Sequence, residues 1–191
     1  YRNLYPEKDI PTITTEVLKQ HERMIKFRYD EKQFKHTYIS QFYQWPFVVR
    51  PIWFHYKTQG QNCTGIVAFG MIPFWWLAFY LLLETSVSCW RRENNDPVGQ
   101  FLVLVYLSQW LLWASSTTGG FFYYMLPLVP LMAILVARTL EPWTRTSGSS
   151  RWAYGYLLML GILVVLYYPF MVGLSVPTRY FQMLFFMPNW I

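Results

Sequence analysis

Charge is scarce in this chain. Only 14% of its 191 residues are Asp, Glu, Lys or Arg, where a soluble domain carries about 25%. That shortage excludes an ordinary water-soluble domain and points to a membrane protein. Cysteine is scarcer still. Cys63 and Cys89 lie at opposite ends of a long apolar run, and a helix rising about 1.5 Å per residue would hold them too far apart for a disulfide. Neither stands at a metal-like spacing. The signatures of soluble enzymes are missing: GxGxxG, the P-loop, GxSxG and HExxH do not occur. Ionisable residues are nearly absent from the apolar runs. Glu84 is the one candidate, and its place near the end of the first run reads as headgroup-facing rather than as a proton relay. A channel or ion-coupled transporter needs buried ionisable groups along a path, so this scarcity counts against that class. No metal site and no cofactor are expected.

What the chain has instead is aromatic side chains, 21% of the total, and a net charge of +6. Ten of the 16 basic residues fall in residues 1–61, among them Lys19, Arg23, Lys26, Arg50 and Lys57. Those of the first segment are interleaved with Glu7, Asp9, Glu16, Glu22, Asp30 and Glu31. This reads as a solvated helix face near anionic lipid, not as a nucleic-acid surface. The chain opens at Tyr1 with neither Met nor a signal peptide, so it reads as a piece of a longer protein, with upstream transmembrane helices of the same protein as partners.

Taken in order, residues 1–35 are a polar segment. Pro6 and Pro11 act as breakers, and Thr14 or Thr15 caps an amphipathic helix with Val17, Leu18, His21, Met24 and Ile25 on one face. Such a helix suits a membrane surface. Residues 36–64, HTYISQFYQWPFVVRPIWFHYKTQGQNCT, are an aromatic stretch in which Pro46 and Pro51 forbid a regular helix. Its Trp and Tyr side chains favour the water–lipid boundary, so the stretch reads as re-entrant or interfacial. Asn62-Cys63-Thr64 fits a glycosylation sequon, a short pattern that often arises by chance. Residues 65–176 hold four apolar runs long enough to cross a bilayer, about 66–88, 100–116, 120–138 and 153–176. Gly70 and Pro73 loosen the start of the first, and Pro127 and Pro130 lie inside the third. Residues 177–191 are an aromatic tail. The expected fold is an all-α, multi-pass helical membrane bundle with an amphipathic surface helix and an aromatic interfacial segment.

Four spans put the aromatic stretch, the SSTTGG loop and the tail on one side. The two remaining loops carry Arg91, Arg92, Arg138, Arg145 and Arg151, against Arg50, Lys57 and Arg179 near the membrane on the first side. The excess makes those loops cytoplasmic and the aromatic stretch extracytoplasmic or lumenal.

Within residues 36–56 Arg50 stands alone between Val49 and Pro51. It either grips a lipid-linked phosphate through a forked pair of hydrogen bonds or anchors the chain in the headgroups. His36 and His55 are proton carriers or phosphate donors on one reading and structural hydrogen-bonders on the other. Trp45, Tyr38 and Tyr43 stack on a sugar ring, line a lipid groove or form an interfacial belt. Tyr123 and Tyr124 open the third span on the same side, facing the same cavity or marking the interface.

The ordered set His21-x-x-Met24, His36-x-Tyr38-x-Ser40, Trp45-Pro46, Arg50-Pro51-Ile52, Trp75-Trp76, the run Phe122-Tyr123-Tyr124 with Leu126-Pro127, and the tail Trp190 resembles the carboxy-terminal four-helix region of the protein O-mannosyltransferases. The likeness covers nearly the whole chain, and Arg50-Pro51 looks like the bacterial members. Two departures stand out. Gly70-Met71-Ile72-Pro73 replaces the family's Gly-Asn-Pro, and residues 115–120 carry no arginine before the Phe/Tyr run. The resemblance implies a GT-C-type membrane glycosyltransferase that passes mannose from a polyprenyl (dolichyl) phosphate to Ser or Thr hydroxyls of an exported protein. It implies a bacterial plasma membrane, or the endoplasmic reticulum in a eukaryote. The family's catalytic acidic pair lies upstream, outside this chain, so the catalytic residues are unknown here. Arg50, His36, Tyr38, Trp45, Tyr123 and Tyr124 are then the residues expected at the donor phosphate or acceptor. A transferase with a lipid acceptor and a non-catalytic membrane scaffold are the competing readings.

Overall fold

The spacing of apolar runs along the chain translates into helices of membrane-crossing length. The computed structural model describes residues 10–29, 36–91, 95–116, 119–187 and 190. It divides into two compact units, residues 1–37 with 116–118, and residues 38–115 with 119–191.

The first unit contains α1 (Ile10–Tyr29). The helix starts before Thr14 and takes Pro11 into its first turn, where the missing N–H costs nothing. Lys26 pairs with Glu22 one turn back at 2.6 Å. His21 is exposed, and its Nδ1 lies 2.8 Å from the Val17 carbonyl of its own helix.

The second unit is built on four long helical segments: α2 (Ile72–Arg91), α3 (Pro97–Leu111) continued by a 3-10 turn to Ser115, a 3-10 segment Phe122–Leu128 continued by α4 (Val129–Arg145), and α5 (Ser150–Val172). Each is long and apolar enough to cross a membrane. The chain therefore has the architecture of a multi-pass helical membrane protein. α2 packs against both α3 and α4, and α4 packs against α5. Leu82, Leu102, Tyr106, Met125 and Met132 are buried between them. α5 is apolar all round, yet only Ala153, Tyr167 and Phe170 are buried. Its remaining faces suit lipid.

Proline sets the starts of these segments. Pro73 and Pro97 stand in first turns, and Pro130 opens α4 just after the tighter 3-10 segment that holds Pro127. The expected spans shift accordingly: the first begins at Ile72 rather than near residue 66, and the third runs on to Arg145.

The all-α expectation is corrected by a three-stranded antiparallel sheet in the order β1-β2-β3, formed by β1 (Ile52–Gln59), β2 (Asn62–Ala68) and β3 (Ser175–Pro177). The aromatic stretch is thus neither loop nor re-entrant helix over its second half. β-Branched and aromatic residues between Pro51 and Gly60 suit a pleated strand. Register runs from Ile52↔Ala68 to Gln59↔Asn62, with a bulge between Trp53 and His55. The two-residue loop has Gly60 at φ +60 as its first central residue, a position that favours glycine. Asn62 opens β2 opposite Pro177. The tail continues as α6 (Thr178–Leu184). Thr178 donates both its backbone N–H and its hydroxyl to the Gln61 carbonyl. Both cysteines are free.

Candidate functional site

The site is built on the short 3-10 helix Phe42–Phe47, which precedes Arg50. Three residues per turn put the carbonyls of Phe42, Trp45 and Val48 in one row. An indole N–H reaches each of them. Trp110 of α3 donates to Phe42 at 2.9 Å, Trp75 of α2 to Trp45 at 3.1 Å, and Trp190 of the tail to Val48 at 2.9 Å. Trp53 of β1 in turn donates to the Trp190 carbonyl at 2.6 Å. Indoles from α2, α3 and the tail thus hold one turn of backbone, using donors that need a partner when buried.

That turn ends in an unusual residue. Val48 lies in the left-handed region at φ 52, ψ 40, and its side chain is fully buried. A β-branched residue there is a genuine outlier, and such strain persists where the surroundings over-determine it. Here the Val48 N–H bonds to the Trp45 carbonyl at 3.1 Å while its own carbonyl is held by Trp190. The left-handed step redirects the chain into Val49-Arg50-Pro51.

Arg50 is half-buried, and its Nη1 donates to the Ile39 carbonyl at 3.3 Å. The neighbouring Ser40 exchanges two backbone hydrogen bonds with Gly120, each 3.0 Å. Gly119 adopts φ +75, and a Cβ on it would come within 3.0 Å of both the Ile39 side chain and the Ser40 carbonyl. This clip ties the Arg50 segment to the start of the Phe122–Leu128 segment, which carries Tyr123 and Tyr124. Both tyrosines are half-buried. Tyr124 stacks on Trp113 at 4.1 Å, and Tyr123 stacks on Phe121 at 5.4 Å.

The expected site residues separate into three groups. Arg50, Tyr38, Tyr123 and Tyr124 belong to one unit and gather, through the Ile39–Ser40 and Gly119–Gly120 clip, at the end of the bundle that carries the sheet. His36 is exposed and belongs to the other unit. Trp45 is corrected: it is only 1% exposed, so no ring face is free for a sugar or a lipid. Its Nε1 donates to Ser40 Oγ at 3.0 Å, and its ring packs edge-on against Trp113 and Tyr124. His55 is exposed on β1 opposite Ile66. Among the described residues no three His, Cys, Asp or Glu side chains come together as a metal ion would require.

Sequence reasoning missed the indole row and the Val48 turn. The three-residue spacing of 42, 45 and 48 is the only trace of the row in the sequence, and it means nothing until a 3-10 helix is in place. Compared with known proteins, the chain matches no family model and no curated protein.

Proposed function

We propose that this chain is the carboxy-terminal membrane part of a GT-C-type glycosyltransferase. It moves mannose from a polyprenyl phosphate donor to Ser or Thr hydroxyls of exported proteins, with the sheet end extracytoplasmic in a bacterial plasma membrane. In the transfer, the acceptor hydroxyl oxygen attacks the anomeric carbon. A carboxylate from the upstream part of the protein takes the proton, and the polyprenyl phosphate departs with the bonding electron pair. Arg50 holds that phosphate through its guanidinium fork as charge gathers on the leaving oxygen. Tyr38, Tyr123 and Tyr124, each half-buried, line the same side.

The observation that carries this reading is the mounting of Arg50. It follows a strained turn whose carbonyls are held by three indoles, and its guanidinium reaches the Ile39 carbonyl beside the clip to the segment bearing the two tyrosines. A headgroup anchor needs no such fixing, because an arginine stem reaches the interface from many backbone positions. The ordered motifs that resemble the O-mannosyltransferases support the sugar and the acceptor class.

The test supplies membranes holding the full-length protein with labelled polyprenyl-phosphate mannose. Label is expected in protein, released by chemistry that cleaves Ser/Thr-linked sugar. Label entering lipid instead would assign the lipid-acceptor reaction, and label entering neither would leave a scaffold.

A further inference from the structure

At the opposite end of the bundle, away from the sheet, a polar cleft of about 240 Å³ opens between α2, the start of α3 and α4. Glu84 and Ser88 line it from α2, Asp96 from the α3 cap and Arg138 from α4. Asp96 serves two partners. Its Oδ1 accepts the Gly99 N–H at 2.9 Å and its Oδ2 accepts Arg138 Nη2 at 2.8 Å. Arg138 has five N–H donors, so most remain available. Glu84 has no hydrogen bond or ion pair among the described residues, although it lies two turns inside α2 from Arg91. Its side chain is exposed near the end of α2, at the depth of lipid headgroups, where a cationic headgroup can reach it.

A second feature adjoins the cleft. An apolar groove of about 740 Å³ runs along α3 from Gln100 to Ser115, and Cys89 lines both. At about 1.5 Å per residue the groove is roughly 22 Å long, enough to take a chain through one leaflet's half of a ~30 Å hydrocarbon layer. A charged cleft that continues into an apolar groove has the shape and polarity of one lipid.

We propose that this cleft and groove bind an aminophospholipid of the ethanolamine type. Its phosphate lies on the free donors of Arg138, its primary ammonium on Glu84 with the Ser88 hydroxyl alongside, and one acyl chain in the α3 groove. The charge pattern selects the headgroup. A choline group has no N–H to give Glu84, and a glycerol group has no cation. The site is separate from the sheet-end site and from the reaction proposed there.

Purified full-length protein, stripped of lipid and offered phosphatidylethanolamine, phosphatidylcholine or phosphatidylglycerol, tests this by native mass spectrometry. Phosphatidylethanolamine is expected to be retained about tenfold better than the other two, the effect of one hydrogen bond between charged groups. Glu84→Gln should erase that preference, and Leu104→Trp, placed on an exposed groove residue, should lower retention of all three. Glycerophosphoethanolamine, which lacks acyl chains, should not compete. Equal retention of the three lipids by the wild type, or an undiminished ethanolamine preference in Glu84→Gln, overturns the proposal. Should Glu84→Gln fail to fold, wild-type retention of all three lipids by Leu104→Trp overturns it.

Discussion

The two ends of the bundle meet their polar demands in opposite ways. At the sheet end, backbone carbonyls of the 3-10 helix Phe42–Phe47 and its cap are satisfied by neutral indole donors from Trp75, Trp110 and Trp190. At the other end, the Asp96–Arg138 ion pair and the α3 cap do the corresponding work with charge, partly in solvent. Neutral donors fix geometry without the desolvation cost of burying ions. They suit a segment that must stay in one strained conformation beside Arg50. The charged end leaves the Glu84 side chain and most of the Arg138 guanidinium uncommitted.

This contrast breaks first at Trp45. Trp45→Ala empties a fully buried indole site and strands the Ser40 hydroxyl, so unfolding of the purified protein should show a loss of about 3–5 kcal/mol. A loss as small as that of an exposed residue would mean that the Trp45 indole does not anchor the turn to Ser40, Trp113 and Tyr124. Next comes Ser40→Ala, which leaves the buried Trp45 N–H without its acceptor and is expected to cost about 1–3 kcal/mol. At the opposite end Asp96→Asn keeps a capping side chain and loses a partly exposed ion pair, for a cost below about 1 kcal/mol.

The same aspartate sharpens the comparison through pH. The Gly99 N–H first, and the Arg138 guanidinium second, hold the Asp96 carboxyl below its ordinary 3.8. A depressed carboxyl stabilises the fold above its unfolded value, and that contribution is lost as pH falls through 3.8 toward the lower folded value. Unfolding temperatures of the wild type should therefore drop in that window. Asp96→Asn should lack that share of the drop, whereas Ser40→Ala should keep it. The smallest expected effect is chemical. Burial raises the Cys63 thiol above its ordinary 9.0, so maleimide should modify half-exposed Cys89 well before buried Cys63.

Much of the fold was legible because hydropathy and length are properties of single segments. The four spans could be read that way, and the prolines that looked like interruptions turn out to mark first turns and a 3-10 entry. The sheet was harder. The second half of β2, residues 65–68, is apolar and runs almost directly into the helix beginning at Ile72, so periodicity merges the strand with the span. Its third strand lies more than a hundred residues away, at Ser175–Pro177. Arg50 could be singled out as a candidate because isolation of a charge is a one-dimensional fact. The left-handed Val48 could not be, since valine is among the residues least suited to that conformation. Trp45 was misread for a related reason: a tryptophan beside a membrane resembles a belt residue until its partners Ser40, Trp113 and Tyr124 are seen around it.

The central claim is that this mounting presents Arg50 to a lipid-linked phosphate. The direct measurement compares Arg50→Ala with wild type in the full-length protein, as the initial rate of mannose transfer from polyprenyl-phosphate mannose at equal protein in the membrane. Loss of one donor to a developing oxyanion predicts a fall of about 10²–10³-fold, with partial recovery in Arg50→Lys, which restores the charge without the fork. Transfer by Arg50→Ala at the wild-type rate would contradict the account.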